Sequence, residues 1–374
     1  MVKCSYFNRC QGCSTQHLDY SLQLKNKTAN LIRAINYENI KVFSGQEYSY
    51  RNRMDFQFMS KGLGFRGRSG LVDIENCVIA DDEVNVLLND LRTFFNDNDA
   101  FDFRTNQGTF REAIVRITRL GDSSISVLLN PDSPQITAAV ERVRAFSQNT
   151  TAKNVLVVLS PINTDFKADY NDNFLVIKGS EMLEEEFLGK RFFYHSLGFF
   201  QNNPVMAEKM HKYCHDLLGV YTNSVYTNAY GPTASLLDLY GGVGYFGIIN
   251  ADLFKEVTII ESVPQCIKAA KENILLNHAS NTKAILLDAK SLRKLKFPAP
   301  LIVLTDPPRS GMDEKTISYI NELKPDVLVY ISCNPQQLGK ELKRFKSYEI
   351  KSAALFDLFP QTNHMESVIE LVRK

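Results

Sequence analysis

One cysteine of this chain stands where chemistry is done. In Tyr330-Ile331-Ser332-Cys333-Asn334-Pro335 an apolar run, Val327 to Ile331, reads as a buried parallel strand that delivers Cys333 to its carboxyl end. Open α/β sheets bind ligands at that end, so a nucleophile belongs there. Pro335 stops the strand, and Gln336 to Leu342 begins an amphipathic helix. The thiol therefore sits at a strand-to-helix corner near a helix N-terminus, which favours the thiolate. A lone cysteine after an apolar strand is more often inert core than a nucleophile. Catalysis needs two further pieces, a base and a cofactor site.

The candidate base is Glu366 in His364-Met365-Glu366-Ser367, just ahead of the last apolar run. A glutamate before a strand is normally at the surface, but one flanked by apolar residues can have a raised pKa and take a proton near neutrality. The candidate cofactor loop is Asp238-Leu239-Tyr240-Gly241-Gly242-Val243-Gly244-Tyr245-Phe246-Gly247. Its glycines let the backbone pass close under a nucleotide-like ligand and turn sharply into a helix. Read literally, Gly242-x-Gly244-x-x-Gly247 with Glu261 downstream is a dinucleotide fingerprint, which makes an NAD-dependent oxidoreductase one reading. Two features favour S-adenosylmethionine instead. Asp238 suits a cationic amino-acid moiety, and Thr305-Asp306-Pro307-Pro308-Arg309 forms a rigid acidic corner for which a dehydrogenase has no evident use.

Three more thiols, Cys4, Cys10 and Cys13, crowd the N-terminus, and Cys77 follows. Such a segment is too short for a core but suits a soft metal. Four thiolates fit tetrahedral zinc or an iron-sulfur cluster, and spacing alone favours zinc. Cys214 and Cys266 fall on apolar helical faces and read as core.

The elements that must position these groups divide the 374 residues into two expected domains. Residues 1–191 read as an α+β region. It has a helix from Tyr20 to Ile35, with Leu22, Leu24, Leu31 and Ile32 apolar and Lys25, Lys27 and Arg33 solvated. Six strands follow: Met54 to Met59, Leu63 to Arg66, Ala113 to Arg119, Ile125 to Leu129, Val155 to Leu159 and Phe174 to Ile177. The alternation of Ile125, Val127 and Leu129 predicts a half-buried antiparallel sheet, and the acidic stretch Asn96 to Asp102 a loop between strands. Residues 192–374 read as a mostly parallel, doubly wound α/β domain. Its strands are Leu236 to Tyr240, Val257 to Glu261, Ala284 to Leu287, Leu301 to Thr305, Val327 to Ile331 and Ser367 to Val372. Helices over Met206 to Leu218 and Gln265 to Asn277, and a surface loop from Gly219 to Ser235, complete it.

A formal net charge of +1 gives no general attraction to nucleic acid, so an RNA partner needs a local patch. Arg51, Arg53, Arg66, Arg68, Arg111, Arg116 and Arg119 supply one, interleaved with Tyr48, Tyr50, Phe56 and Phe65. Arginine forks on phosphates and aromatic faces under unstacked bases grip looped RNA. A solvated sheet face is the plain alternative. No apolar run is long enough to span a bilayer and the start lacks a secretory h-region, so a cytoplasmic protein is expected.

Taken together, the glycine loop, Asp306-Pro307-Pro308-Arg309, Ser332-Cys333-Asn334-Pro335, Leu358-Phe359-Pro360 through His364-Met365-Glu366, Phe200-Gln201-Asn202 and the N-terminal cysteines resemble the RNA uracil-C5 methyltransferase family. The resemblance implies a Rossmann-like class I methyltransferase domain, preceded by an α+β domain with a four-cysteine metal site. It implies that Cys333 is the nucleophile, Glu366 the proton-abstracting base, and Gln201, Tyr240, Glu261, Asp288 and Asp306 contacts to S-adenosylmethionine. It further implies a [4Fe-4S] cluster on Cys4, Cys10, Cys13 and Cys77, a flipped uridine of rRNA or tRNA as substrate, and a monomer. The chain departs from the family in having Tyr240-Gly241-Gly242 where Phe-Cys-Gly is frequent. It also begins at the cysteines, without the RNA-binding β-barrel many members place first. A non-catalytic RNA-binding protein would give no reason for Cys333 and Glu366 to occur together, and an amino-group methyltransferase would need no cysteine.

Overall fold

The computed structural model describes residues 2–161, 173–222 and 233–374. Most of the expected loop from Gly219 to Ser235 lies outside the described residues. The part that is described is helix up to Thr222 and strand from Ser235. Among the described residues no helix is long and apolar enough to cross a membrane.

Two compact units form, and they interleave along the chain. One comprises Met1–Asp19, Gln46–Glu185 and Tyr194–Pro204, the other Tyr20–Gly45, Glu186–Phe193 and Val205–Lys374. This differs from a single boundary at 191/192, because helix α1 (Tyr20–Ile35) and strand β1 (Ile40–Phe43) belong to the second unit. Strand β1 pairs in parallel with a later strand, and that pairing carries the early segment into the second sheet.

In the first unit, strands β2 (Arg53–Phe58), β3 (Leu63–Gly67), β4 (Gly70–Asp73), β5 (Phe110–Ile117), β6 (Ser123–Leu129), β7 (Asn154–Leu159) and β8 (Phe174–Lys178) form one sheet in the order β4-β3-β2-β5-β6-β7-β8. Its pairings are antiparallel except β6 with β7. Two helices that the sequence did not announce, α2 (Asp82–Phe94) and α3 (Ile136–Ser147), pack Val84, Leu88, Val143 and Phe146 on it. The Asn96 to Asp102 stretch therefore joins a helix to a strand rather than two strands. Strand β6 was expected to be half-buried, yet it is buried on both faces, Ser124 and Ser126 included. Ile114, Leu128, Val158 and Leu197 make a second small core on the face opposite the helices. Strands β9 (Met182–Phe187) and β10 (Lys190–His195) pair with each other in a small sheet of their own.

The large sheet of the second unit is built from β1, β11 (Ser235–Leu239), β12 (Glu256–Glu261), β13 (Thr282–Leu286), β14 (Leu301–Thr305), β15 (Val327–Ser332), β16 (Tyr348–Phe356) and β17 (Glu366–Arg373), in the order β1-β16-β17-β15-β14-β11-β12-β13. It is mixed. β17 runs antiparallel to both β15 and β16, and the other pairings are parallel. Strands β11, β14 and β15 are buried along their whole length, as near-continuous apolar runs require.

Consecutive residues point to opposite faces, and both faces are covered. Ile260 joins a core with helices α1, α7 (Glu314–Leu323) and α8 (Pro335–Leu342). Ile259 instead meets the short helix α5 (Tyr245–Ile249) at Gly247. Helices α4 (Pro204–Thr222) and α6 (Pro264–Leu276) differ from the expected limits by a few residues, and Cys214 and Cys266 are buried in them.

Helix α1 does not present the face that its leucines suggest. Gln23, Lys27, Leu31 and Ile35 are buried and Leu22 is exposed. Lys27, expected to be solvated, has its ammonium 2.6 Å from the carboxylate of fully buried Asp357. The helix also lies close against α8, where a Cβ on Gly339 would come within 2.1 Å of the Ala34 carbonyl oxygen. Gly339→Ala is therefore expected to lower the stability of the protein by about 1–3 kcal/mol, the usual cost of overpacking. Urea unfolding measures it, and an unchanged midpoint would contradict the packing of α1 on α8.

Candidate active site

The large sheet of the second unit brings the chemistry to one edge. Parallel strands β11, β12, β13, β14 and β15 all end there, and antiparallel β17 begins there. The register places Leu286, Glu261, Tyr240, Asp306 and Ile331 in one row across the sheet, by continuation of the pairs Leu286–Glu261, Ile260–Leu239, Leu239–Thr305 and Thr305–Tyr330. With strands about 4.8 Å apart, neighbouring side chains in such a row are in direct reach of one another.

Cys333 and Glu366 face each other by the same logic. The antiparallel ladder of β15 and β17 ends on Ser332 opposite Ser367, so the next opposed positions are Cys333 and Glu366. Opposed side chains on antiparallel strands have Cβ atoms about 4.5–5.5 Å apart. The corner is pinned from several sides. Ser367 Oγ donates to the Ser332 carbonyl (3.0 Å), and the Asn334 amide donates to Ser332 Oγ (3.1 Å). Asn334 caps α8 by accepting from the Gln337 amide and donates its Nδ2 to the Arg309 carbonyl (3.0 Å), tying the cysteine corner to the Asp-Pro-Pro loop.

Burial dominates the electrostatics. It pushes the Cys333 thiol up to about 12, with Glu366 and then Asp306 adding to the rise and Arg309 opposing it. This runs against the expected thiolate, because burial and two carboxylates outweigh the one arginine. Glu366 is buried and its proton affinity lies well above the usual carboxylate range, first from burial and then from Asp306. Burial also raises Asp306 to about 7. Asp238 rises to about 8 from burial, with Asp306 and Glu261 adding to the rise and a hydrogen bond from the Gly247 amide (2.9 Å) opposing it.

The glycine loop is shaped by close approach. A Cβ at Gly241 would lie 2.6 Å from Ile259 Cγ2 and 2.9 Å from Asp238 Oδ2, and one at Gly247 would lie 2.6 Å from Ile259 Cγ1. Tyr240 is in the left-handed region (φ 60°), half-buried, and its hydroxyl is pushed up to about 12 by burial. Glu261 is engaged within the chain. Oε2 accepts from the Gly242 amide, and Oε1 from the amides of Ser262 and Val263. Asp288 caps a short 3-10 helix through the Lys290 amide. The second oxygen of Asp238, Oδ1, is buried with no hydrogen-bond partner among the described residues, which is costly unless a donor or cation meets it. Of the implied cofactor contacts, Gln201 belongs to the first unit, where it is buried.

Two groups not expected from the sequence complete the site. Buried Glu341 of α8 accepts from the Met312 amide, the Tyr330 hydroxyl and Gln337 Nε2, fixing the turn after Asp306-Pro307-Pro308. On α1, Lys27 and Gln23 hold the segment that leads to Glu366.

The first unit keeps its cysteines together without forming a single-ion site. Among the described residues no group of three or more His, Cys, Asp or Glu could hold one metal ion, so the zinc geometry favoured by spacing is not formed. Burial raises the thiols of Cys10, Cys13 and Cys77, and each feels the charge of other members of the set. Backbone amides face the sulfurs, from Gly12 to Cys10 (3.3 Å) and from Ile79 and Ala80 to Cys77.

The expected basic patch is smaller than its arginine count. Arg53 and Arg116 are buried and donate to the carbonyl of Gly198, Arg111 to Ser160 and Pro161, and Arg119 pairs with Glu185. Exposed Arg66 and Arg68 remain, joined by Arg9, and Arg9 and Arg68 line a hollow of about 440 Å³ with Asn8 and Asp73.

An open α/β sheet with a glycine loop, an acidic Pro-Pro corner and an opposed cysteine and glutamate defines a methyltransferase-like class of site. The family model for tRNA (uracil-5-)-methyltransferases matches residues 19–374, and the chain belongs to that family. This sets aside the dehydrogenase reading of the glycine loop. An uncharacterized RNA methyltransferase of Caldanaerobacter subterraneus subsp. tengcongensis is 30% identical over 98% of this chain and 83% of its own. One from Nanoarchaeum equitans is 27% identical over 98% of this chain and 79% of its own. The crystal structure of the Pyrococcus abyssi tRNA (uracil-54, C5)-methyltransferase in complex with S-adenosyl-L-homocysteine is similar with a TM-score of 0.79, at 25% identity, over 97% of this chain and 86% of that one.

The raised carboxyls set a pH dependence. Asp238 and Asp306 hold protons to about pH 8 and about pH 7 when folded, against an ordinary value of 3.8. Above about pH 4 the native state binds more protons than the unfolded one, so stability falls as pH rises through that window. Asp238→Asn is expected to flatten the fall in melting temperature between about pH 5 and about pH 8 in ligand-free protein, because one of these titrations is removed. An identical slope in both proteins would contradict the assignment.

Proposed function

We propose that this protein transfers a methyl group from S-adenosylmethionine to carbon 5 of a uridine in structured RNA, tRNA or 23S rRNA, leaving 5-methyluridine. The observation that carries this reading is the ladder of β15 and β17, whose last pair, Ser332 with Ser367, is followed by Cys333 on one strand and preceded by Glu366 on the other, close enough for Glu366 to raise the Cys333 thiol, with Asp306 one strand away. A nucleophile and a base held face to face can work in turn on adjacent ring atoms, which is what C6 and C5 of uracil require. Family membership and the likeness to the Pyrococcus abyssi enzyme support the same reaction.

Uracil C5 is a poor nucleophile. Cys333 gives up its thiol proton to water as Sγ bonds to C6, which moves the ring electron pair towards C5 and O4, and C5 then carries the charge to accept a methyl group. S-adenosylmethionine, when bound, supplies that methyl on a cationic sulfur. Buried Asp238, with its unpartnered Oδ1, and Asp306 suit such a ligand, and a cation there offsets one carboxylate that holds the Cys333 proton. Glu366 then takes the C5 proton, the C5–C6 double bond re-forms, and Cys333 leaves with its electron pair. Burial makes the ionised Glu366 a stronger base than an exposed carboxylate. The uridine must leave its stack to present both atoms.

Cys333→Ala is expected to abolish methylation while leaving S-adenosylhomocysteine affinity within about twofold, since binding to the other strand ends is retained. Full turnover would refute the covalent route. Glu366→Gln is expected to accumulate an RNA–protein adduct that survives a denaturing gel. Mapping the labelled uridine in total RNA separates tRNA from rRNA as substrate.

The same proposal includes a [4Fe-4S] cluster on Cys4, Cys10, Cys13 and Cys77. A cluster spreads its four thiolates more widely than a single ion does. The amides facing Cys10 and Cys77 favour their ionised sulfurs, and the repulsion among the four would be relieved by the iron they bind. Protein purified without oxygen is expected to contain about four irons and four sulfides. Stoichiometric zinc without iron would overturn this assignment.

A further inference from the structure

The residues around Glu366 are held by a helix more than 300 positions earlier in the chain. Between β16 and β17 the backbone runs from Asp357 to Met365, and Gln361 takes a left-handed conformation (φ 68°). Two side chains of α1 fix this segment. Gln23 makes a reciprocal pair with Gln361, accepting from its amide (3.0 Å) and donating Nε2 to its Oε1 (2.9 Å). Lys27 Nζ donates to Asp357 (2.6 Å) and to the Phe359 carbonyl (3.0 Å), the same oxygen that receives Thr362 Oγ1. All four polar side chains, Gln23, Lys27, Asp357 and Gln361, are buried, so these bonds are shielded from competing water.

The other end of α1 packs on the helix that follows the cysteine. Ala34 lies against Gly339 so closely that no Cβ fits between them, and α8, to which Gly339 belongs, begins two residues after Cys333. One rigid helix thus contacts both the segment that ends on Glu366 and the helix that starts behind Cys333.

We propose that α1 is a strut that sets the position of Glu366 relative to Cys333, with Gln23 and Lys27 as its positioning residues. This rests on the catalytic reading given above. The strut matters most for the step in which geometry is strictest, removal of the C5 proton from an adduct already anchored to Cys333. A displacement of about 1 Å at such a base can slow its step by up to ~10²-fold. Attack of Cys333 on C6 does not involve Glu366 as base and is spared.

The test uses Gln23→Met and the double variant Lys27→Met/Asp357→Asn, which leaves no unpaired charge in the interior. Full-length protein, substrate RNA and S-adenosylmethionine are mixed in single turnover, and adduct formation and decay are followed on denaturing gels. The expected result is adduct formation at the wild-type rate with decay slowed about tenfold or more in both variants, and S-adenosylhomocysteine affinity unchanged. Decay at the wild-type rate, or equal loss of both steps, overturns the strut while leaving the catalytic reading in place. Absence of any Cys333 adduct in the wild-type enzyme overturns both. Should the double variant fail to fold, the adduct kinetics of Gln23→Met alone decide between these outcomes.

Discussion

The site depends on one reversal of strand direction. In an all-parallel sheet, the strand beside β15 would begin at the far edge, and a residue at its start would lie a full strand length from Cys333. Because β17 runs antiparallel, its first residue, Glu366, arrives where β15 ends, one residue short of Cys333. Backbone hydrogen bonds thus fix the strand ends that carry the proposed nucleophile and base, which is more dependable than a pair of flexible loops. The same edge receives Asp306, Tyr240 and Glu261 from β14, β11 and β12, so the proposed cofactor contacts are aligned by the same register.

Burial at this edge raises the proton affinity of the Cys333 thiol and of Asp238, Asp306 and Glu366. The site is therefore suited to a ligand that brings positive charge. A cation bound beside Asp306 would offset part of the charge that raises the Cys333 thiol. The Cys333 corner supplies rigidity rather than activation, through Asn334, Ser332 and the bond to Arg309.

Much of the parallel core was legible because buried strands are written as uninterrupted apolar runs, as in β11, β14 and β15. Strands β1 and β16 were not, since Lys41, Glu349 and Lys351 interrupt their apolar pattern and their place depends on pairing with distant partners. The cysteine, the Asp-Pro-Pro corner and Glu366 could be picked out by residue type, whereas their facing geometry needed the strand direction. The arginines misled for a related reason. Arg53, Arg111 and Arg116 look like a nucleic-acid surface in the sequence, but carbonyl groups within the first unit claim their guanidinium groups. For α1 a signal was present: Gln23, Lys27, Leu31 and Ile35 are spaced every four residues along one face, and two polar residues on a buried stripe point to partners held elsewhere in the chain.

The central claim is that Cys333 bonds to the uracil ring beside a base that must remove the C5 proton. RNA carrying 5-fluorouridine tests it most directly, because fluorine at C5 leaves the base no proton to take and the adduct cannot resolve. Digestion and mass spectrometry of the trapped complex should find a methylated fluorouracil ring attached to the peptide that contains Cys333. Attachment to any other residue, or methylation without a trapped species, would contradict it.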